Sequence, residues 1–145
     1  IMSVRTYDPK QVIITVGGVP ISGFADGTFL TVDRDDDQWV KVTGADGTST
    51  RIKSNNRSGN MTIILKQSSP SNDVLSGFAN VDELTNAGVV PILIKDLSGN
   101  SLYFSATGWV KKYPSSEFGK DLANRDWVLD LVDLDVFVGS NGVNV

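Results

Sequence analysis

Charge is concentrated in the stretch TVDRDDDQW, which holds four aspartates and one arginine in five consecutive positions: Asp33, Arg34, Asp35, Asp36 and Asp37. Alternating carboxylates can ligate calcium, and the first, third and fifth of these residues fit the first half of an EF-hand loop. That loop then needs a glycine and a terminal glutamate, where this sequence has Gln38 and Gly44. Two interpretations remain: a solvated hairpin tip that protects a strand edge, or an intersubunit contact in which Arg34 pairs across the interface.

A second set of carboxylates, Asp130, Asp133 and Asp135, lies near the end of the sequence. Paired carboxylates hydrolyse glycosidic bonds when they face one cleft at a suitable separation. On a strand Asp133 and Asp135 share a face, whereas Asp130 lies on the opposite face unless a bulge intervenes. No partner motif accompanies the set, so the pattern favours an outward polar face.

A basic segment follows the acidic cluster, with Arg51, Lys53 and Arg57 within RIKSNNRSG. Such a loop could cradle a phosphate, but it lacks the glycine and lysine spacing of a P-loop, and no helix follows it directly. The pattern favours a solvated loop or ion pairs with aspartates.

The composition excludes several kinds of chemistry. The chain has no histidine and no cysteine, which removes disulfides, zinc–thiolate sites, thiol catalysis and histidine-based triads. A net charge of -4 argues against a nucleic-acid-binding or membrane-binding surface. We therefore expect a protein that is not an enzyme, needs no cofactor or metal, and does not insert into a membrane. The N-terminal segment lacks the apolar core of a signal peptide, which predicts synthesis in the cytoplasm.

The pattern of alternating residues and turns indicates a mainly β protein. Asp26-Gly27 and the ADG of residues 45–47 are turn signals between strand-like runs. Met61, Ile63 and Leu65 alternate on one face of the run MTIILKQ. The length of 145 residues suggests a single domain spanning residues 1–145. The strand-like runs and turn signals together predict a β-sandwich or barrel of about eight strands.

One helix interrupts the strands, at about residues 72–87. Ser71 or Asn72 is the expected N-cap, and Gly88 lies just past the end. The apolar residues fall at helical spacing and predict a stripe that lies on a sheet: Val74, Leu75, Phe78, Val81 and Leu84.

The segment DWVLDLVDLDVFVG fits either a helix or a strand. A helix aligns Asp126, Asp130 and Asp133 but places Asp135 on the opposite side, and the four valines, Phe and Trp favour a strand, whose apolar phase changes. Trp127, Leu129 and Leu131 share one face. After a switch between Leu131 and Val132, the apolar residues are Val132, Leu134, Val136 and Val138. This change predicts a β-bulge, or a strand whose two faces are buried in different surroundings.

Three tryptophans, Trp39, Trp109 and Trp127, are spread through the chain. They could form aromatic platforms for sugars, although core or interface packing is the commoner use of such residues. A carbohydrate-binding β-sandwich therefore remains an alternative function.

Five short motifs occur in order along the chain: GFADGT at Gly23–Thr28, the acidic cluster at Asp33–Asp37, and the motifs at Asp46–Asn55, Ser58–Gln67 and Ser69–Ser76. Their order resembles that in the tail tube proteins of contractile-tailed bacteriophages. The resemblance covers most of residues 10–138, and none of its motifs is catalytic.

This resemblance implies a small β-barrel or sandwich with a flanking helix, similar to the tube proteins of type VI secretion systems. Such subunits form hexameric rings that stack into a tube inside a contractile sheath. The channel holds the tape-measure protein and later passes DNA, and the tube stands on a baseplate hub. The expected location is the virion tail, assembled in the host bacterial cytoplasm. The alternative within the virion is another small tail component, such as a tube completion or baseplate protein.

The resemblance also implies a contact surface. We expect the loop Asp33–Asp37, with Trp39 and the rest of the hairpin Gln38–Lys53, to reach an adjacent subunit or ring. Arg51, Lys53 and Arg57 are the expected countercharges. The acidity of the chain suits a DNA conduit, because repulsion of phosphates keeps DNA from adhering to the wall.

Overall fold

The computed structural model of the chain describes residues 5–140 and 143–144. Its one α-helix among them, α1, is Ser71–Thr85, and a short 3-10 turn spans Pro9–Gln11. The strands are β1 (Arg5–Thr6), β2 (Val12–Val16), β3 (Val19–Pro20), β4 (Leu30–Arg34), β5 (Trp39–Thr43), β6 (Ser49–Lys53), β7 (Gly59–Leu65), β8 (Val90–Asp96), β9 (Leu102–Lys112), β10 (Arg125–Val132), β11 (Asp135–Phe137) and β12 (Val143–Asn144).

Eight of these strands form one antiparallel sheet. Its order is β3-β2-β8-β9-β10-β7-β4, and β11 continues the line of β10 along the first half of β9. Two pairs stand apart from it, β5 with β6 and β1 with β12. The predicted class, mainly β with about eight strands and one flanking helix, is confirmed. Among the residues described, no helix is long and apolar enough to cross a membrane.

The core is built on the alternation that the sequence predicts for β7 and β10. Met61, Ile63 and Leu65 are fully buried, and they face the buried residues of β10 across the sheet. Trp127 pairs with Ile63, and Leu129 pairs with Met61. Side chains of successive strand residues point to opposite faces, so this register places these large apolar residues of both strands on the inner face.

The predicted bulge at Leu131/Val132 is wrong, because Val132 pairs with Thr107 and Asp135 with Phe104 in one unbroken register; the register of β10 shifts earlier, between Val128 and Leu129. The change of apolar phase comes instead from a kink at Asp133. Asp133 has a left-handed backbone with φ of 49°, which breaks the alternation. Leu134, its neighbour, is then buried at 1% exposure. The predicted inward phase of Val136 and Val138 is wrong, because both are exposed, at 38% and 74%. Beyond Leu134 the strand pairs only with the start of β9, past the end of the core.

Helix α1 buries only part of the predicted stripe. Leu75 is fully buried and Phe78 packs on the core, beside Gly17, where a Cβ atom would come within 2.7 Å of the Phe78 ring. Val81 and Leu84 are exposed at 47% and 84%, so the buried part of the stripe ends near Ala79.

The predicted helix boundaries need correction. Pro70 occupies the N-cap position without a side-chain bond, and the helix ends at Thr85, before a left-handed Asn86 with φ of 59°. Ser71 is not the cap, because its hydroxyl accepts a bond from the Ser22 amide at 2.9 Å. Asn72 is not the cap either, because its side chain joins the preceding loop to Trp127.

Candidate functional site

The hairpin of β5 and β6 projects from the body of the protein. Its strands pair only with each other, and every residue of both strands is exposed. The turn is closed by a bond of 2.8 Å from the Gly44 amide to the Thr48 carbonyl, and Gly47 has φ of 85°. A two-stranded hairpin is at best marginally stable in water by itself. The hairpin therefore presents two faces that the rest of the protein does not cover.

One face of the hairpin is apolar. Val40 pairs with Ile52, and Val42 pairs with Thr50, so their side chains lie on the same face. Val40, Val42 and Ile52 are each 50–52% exposed. The opposite face carries Trp39, Lys41, Arg51 and Lys53. The hairpin is thus amphipathic, although neither face meets the core.

Trp39 and Arg51 contact each other on the basic face. The Arg51 guanidinium carbon lies 3.7 Å from the centre of the Trp39 ring, in a cation–π arrangement. This contact stiffens the hairpin near its base and leaves the guanidinium edge exposed. In the part of the chain that the structure describes, salt bridges join Arg57 to Asp135 and Lys111 to Asp130, so Arg51 and Lys53 form none with the acidic cluster.

The acidic cluster lies at the base of the hairpin and is held by amides rather than by cations. Asn60 Nδ2 donates to Asp35 Oδ1 at 3.0 Å, and Asn56 Nδ2 donates to Asp36 Oδ2 at 2.7 Å. The Asp35 amide donates to the Ser58 carbonyl at 3.0 Å. Within residues 5–140 and 143–144, no group of three acidic side chains is placed to hold a metal ion. The cluster is a structured turn whose charges face outward.

Arg34 within the cluster and Arg57 beyond it both contact the segment just after β10. Arg34 Nη2 donates to the Leu134 carbonyl at 2.6 Å, and the Leu134 amide donates to the Arg57 carbonyl at 2.9 Å. Arg57 also forms its salt bridge with Asp135. Within the chain, Arg34 and Arg57 therefore fix the base of the hairpin to the main sheet. Their pairing across an interface stays a prediction.

The second set of carboxylates does not converge. Asp130 lies 3.9 Å from the Lys111 ammonium group, Asp135 is held by Arg57, and Asp133 is exposed at the kink after β10. Asp130 and Asp135 thus serve separate local contacts, and the arrangement does not resemble a pair of glycosidase carboxylates.

Sequence reasoning missed the residues that hold the base together. Nothing in the sequence indicated the contacts of Asn56 and Asn60, since their partners are distant in the chain. Leu134 was predicted only as an apolar strand residue, and nothing in the spacing indicated that the acidic cluster would lie against the kink before it.

We expect Gly59→Ala to destabilise this base. A Cβ atom at Gly59 would come within 2.5 Å of the Asp33 carbonyl oxygen and 2.7 Å of Leu134 Cδ2. The crowding should lower the free energy of unfolding by about 1–3 kcal/mol in urea titrations. Gly77→Ala is the matched control, because that position lies in α1 with no atom within 4 Å, and alanine there should add about 0.5–1 kcal/mol. If Gly59→Ala changed the free energy of unfolding in the same direction and by the same amount as Gly77→Ala, Gly59 would not be crowded.

A second prediction concerns the tip of the hairpin. Hydrogen bonds from the Thr48 amide and hydroxyl lower the pKa of Asp46 below its ordinary value. The two bonds are therefore present at neutral pH and are lost as the pH falls through the lowered pKa. In an NMR titration the Thr48 amide should shift with a midpoint below that of an aspartate in an unstructured peptide. A midpoint at or above the peptide value would contradict these bonds.

Comparison with known proteins assigns the chain to a family. The family described as "Bacteriophage PhiTE tail tube protein" matches residues 8–139. The chain belongs to this tail tube family. A curated relative, Structural protein ORF10 of Pseudomonas phage KPP10, is 34% identical over 144 residues, covering 94% of this chain and 83% of that protein. The predicted resemblance to phage tail tube proteins is confirmed.

Solved structures with the same fold come from contractile injection systems. The cap of the anti-feeding prophage, described as a tube-terminating cap, superimposes with a TM-score of 0.65 at 13% identity, over 94% of each chain. A chain of the PVC sheath–tube complex in the extended state superimposes with a TM-score of 0.62 at 15% identity. The match covers 94% of the present chain and 92% of the PVC chain. A chain of the PVC sheath/tube terminator superimposes with a TM-score of 0.63 at 16% identity. The match covers 93% of the present chain and 99% of the terminator chain. At these identities the likeness is one of fold.

Proposed function

We propose that this chain is a structural, non-enzymatic virion protein, the tail tube subunit, acting as one domain that forms stacked hexameric rings. The observation that carries the proposal is the projecting hairpin, whose apolar face the subunit leaves uncovered. Membership of the tail tube family supports the assignment to a tube.

The hairpin is suited to a contact with an adjacent subunit or ring. Val40, Val42 and Ile52 together expose an apolar face that a neighbour can bury. Arg34, Arg57 and Asp35 fix the base through bonds to Leu134, Asp135 and Asn60, so the hairpin is held in one direction before assembly. Little ordering is then needed on contact, which favours association.

The charged residues would determine the register of that contact. Asp33, Asp35, Asp36 and Asp37 are exposed on one side of the base, and Lys41, Arg51 and Lys53 lie on one face of the hairpin. Since the subunit does not pair these two groups, acid on one copy can meet base on the next. Repeated contacts of this head-to-tail kind close into a ring or continue along a tube, depending on the rotation between copies.

The further partners follow from the role in a tail. A tube inside a sheath contacts the sheath protein on its outside, the tape-measure protein and passing DNA on its inside, and the baseplate hub at its end. The net charge of -4 is consistent with a wall that does not retain DNA. Such a protein resides in the virion tail and is assembled in the host cytoplasm.

A tube-terminating protein is the second candidate, because two of the similar solved structures are described as a tube-terminating cap and a sheath/tube terminator. The two functions differ in whether the assembly keeps growing. A tube subunit adds to its own kind without limit, whereas a terminator forms one ring and stops.

Electron microscopy of the purified protein across a concentration series, with sedimentation alongside, tests the proposal. A tube subunit should give open-ended tubes of uniform bore, with or without an added baseplate as a nucleus. Single rings that never stack, even with the baseplate present, would favour the terminator. A monomer under every condition would refute both.

The acidic cluster can be tested in the same assay with Asp35, Asp36 and Asp37 all changed to Ala. If these residues pair between copies, the variant should assemble poorly and lose the salt dependence of assembly. A matched control replaces Asp26, Glu117 and Asp121, three exposed acids away from the hairpin, with the same change in net charge. Equal effects of the two triple variants would assign the result to net charge rather than to a contact.

A further inference from the structure

A cavity of about 340 Å³ lies on another side of the molecule, between α1 and the segment that joins β9 to β10. Ser76 of α1, Gln67 before the helix, and Arg125 and Trp127 of β10 line it, with Tyr113 and Phe118 from the connecting segment. Its size falls within the range of small-ligand sites, about 300–1,000 Å³. No hairpin residue lines it, so a ligand bound there would not depend on the proposed function.

Arg125 is the unusual residue of this cavity. It is only 7% exposed, and its Nη2 donates to the Glu117 carbonyl at 3.1 Å. Its Nη1 is buried and has no hydrogen-bond partner among the described residues. A buried charged donor without a partner is costly, and arginine does not lose its proton. No acidic side chain lines the cavity within the described residues, so the chain itself does not supply a counterion there.

We propose that this cavity binds a carboxylate group, with Arg125 Nη1 as the charged donor. A single guanidinium balances a single negative charge, which favours a carboxylate over a doubly charged phosphate. Gln67 Oε1 accepts a bond from the Ala123 amide at 3.0 Å, so the Nε2 of the same amide is the group left to donate. The Ser76 hydroxyl, also in the lining, supplies a further donor.

The aromatic walls of the cavity indicate which kind of molecule would bear the carboxylate group. The Trp127 ring lies 6.1 Å from the Tyr113 ring, and the Phe118 ring lies 5.4 Å from the Arg125 guanidinium carbon. Phe118 is 83% exposed, so few contacts hold its ring over the guanidinium. Rotation of this ring would give a ligand access to Nη1 and place an aromatic surface beside it. The ligand is therefore a carboxylate on an apolar carrier, either a free organic acid or an acidic side chain flanked by apolar residues.

The first test uses NMR on the free subunit. Sodium benzoate is titrated against the Trp127 indole N–H and the Arg125 guanidinium signals, with sodium chloride at matched ionic strength as reference. We expect saturable shifts with benzoate. Benzamide, a neutral molecule of nearly the same shape, should bind at least about tenfold more weakly than benzoate. The reason is that hydrogen bonds to an ionised acceptor are roughly twice as strong as neutral ones. Equal binding of benzamide would overturn the proposal without any need for a variant.

Two variants locate the site. Arg125→Gln removes the charge and should abolish benzoate binding, while Ser76→Leu keeps Arg125 but fills the cavity and should do the same. The second variant keeps the test decisive if the first fails to fold. Arg51→Gln, which removes an exposed arginine from the hairpin, is the control and should bind benzoate as before. Retention of binding in Ser76→Leu would place benzoate elsewhere and refute the site.

A second arm distinguishes the two sources of the carboxylate. The capped tripeptide acetyl-Phe-Glu-Phe-amide is compared with its Gln counterpart. Binding of benzoate alone would support a free organic acid as the ligand, and binding of the Glu peptide but not the Gln peptide would support an acidic side chain. Failure of benzoate and the Glu peptide alike would refute the carboxylate site.

Discussion

Removal of the projecting hairpin should abolish tube assembly and leave the subunit folded. The Ser54 amide donates to the Gln38 carbonyl at 2.9 Å, so the two ends of the hairpin already meet. Residues 39–53 can therefore be replaced by Asn-Gly, which forms a tight two-residue turn between such ends. Since every residue of β5 and β6 is exposed, we expect the free energy of unfolding to change by about 1 kcal/mol or less. Sedimentation and electron microscopy should then show monomers.

A subtler variant separates the apolar face from the hairpin as a whole. Changing Val40, Val42 and Ile52 to Thr keeps β-branched residues, and with them the strand conformation, but removes apolar surface. This variant should also fail to assemble if the face is buried between subunits. Normal tubes from the excised chain would contradict the proposed role of the hairpin, and normal tubes from the triple Thr variant would contradict burial of that face.

The largest loss of stability should come from Trp127→Ala. Trp127 is 2% exposed and packs among the core residues of β7 and β10, and its indole Nε1 donates to Asn72 Oδ1 at 2.9 Å. Truncating a buried tryptophan costs about 3–5 kcal/mol, a large fraction of the roughly 5–15 kcal/mol that stabilises a typical domain. The midpoint of urea unfolding should fall sharply with an unchanged slope.

Two companion variants divide this effect. Trp127→Phe keeps an aromatic ring but leaves the Asn72 oxygen without its donor, which should cost about 1–3 kcal/mol. Trp39→Ala makes the same truncation on the exposed hairpin, where only the contact with Arg51 is lost, worth about 0.5–1 kcal/mol. A loss at Trp39 as large as that at Trp127 would mean that the hairpin contributes to the folded core.

Periodic patterns predicted the main sheet well, because burial acts on each residue of a strand in turn. Met61, Ile63 and Leu65 could be assigned to the core from alternation alone. The change of phase after Leu131 marked a real break in the alternation, although its cause is the left-handed Asp133 and not the predicted bulge. The same logic placed a helix near residues 72–87. Local pattern and burial agree along the strands, so the sequence was sufficient there, whereas for the helix it gave the position but not the caps or the full buried stripe.

The pattern failed where a contact joins distant parts of the chain. Asn72 satisfies the rules for an N-cap, but Trp127 and the loop before the helix take its side chain. Val136 and Val138 continue an apolar alternation, yet the core ends at Leu134. The attachment of Arg34 to Leu134 spans 100 positions, and no spacing rule reaches that far.

The closeness of Gln38 and Ser54 also has an evolutionary meaning. Because the hairpin leaves and re-enters the sheet at one point, its sequence and length can change without altering any residue of the core. A lineage could then acquire a new pairing preference by drift in residues 39–53 alone, and two related tubes in one cell could come to exclude each other's subunits. A chimera that carries the hairpin of a relative should fold like its parent and join the relative's assembly only where the receiving surface is exchanged as well.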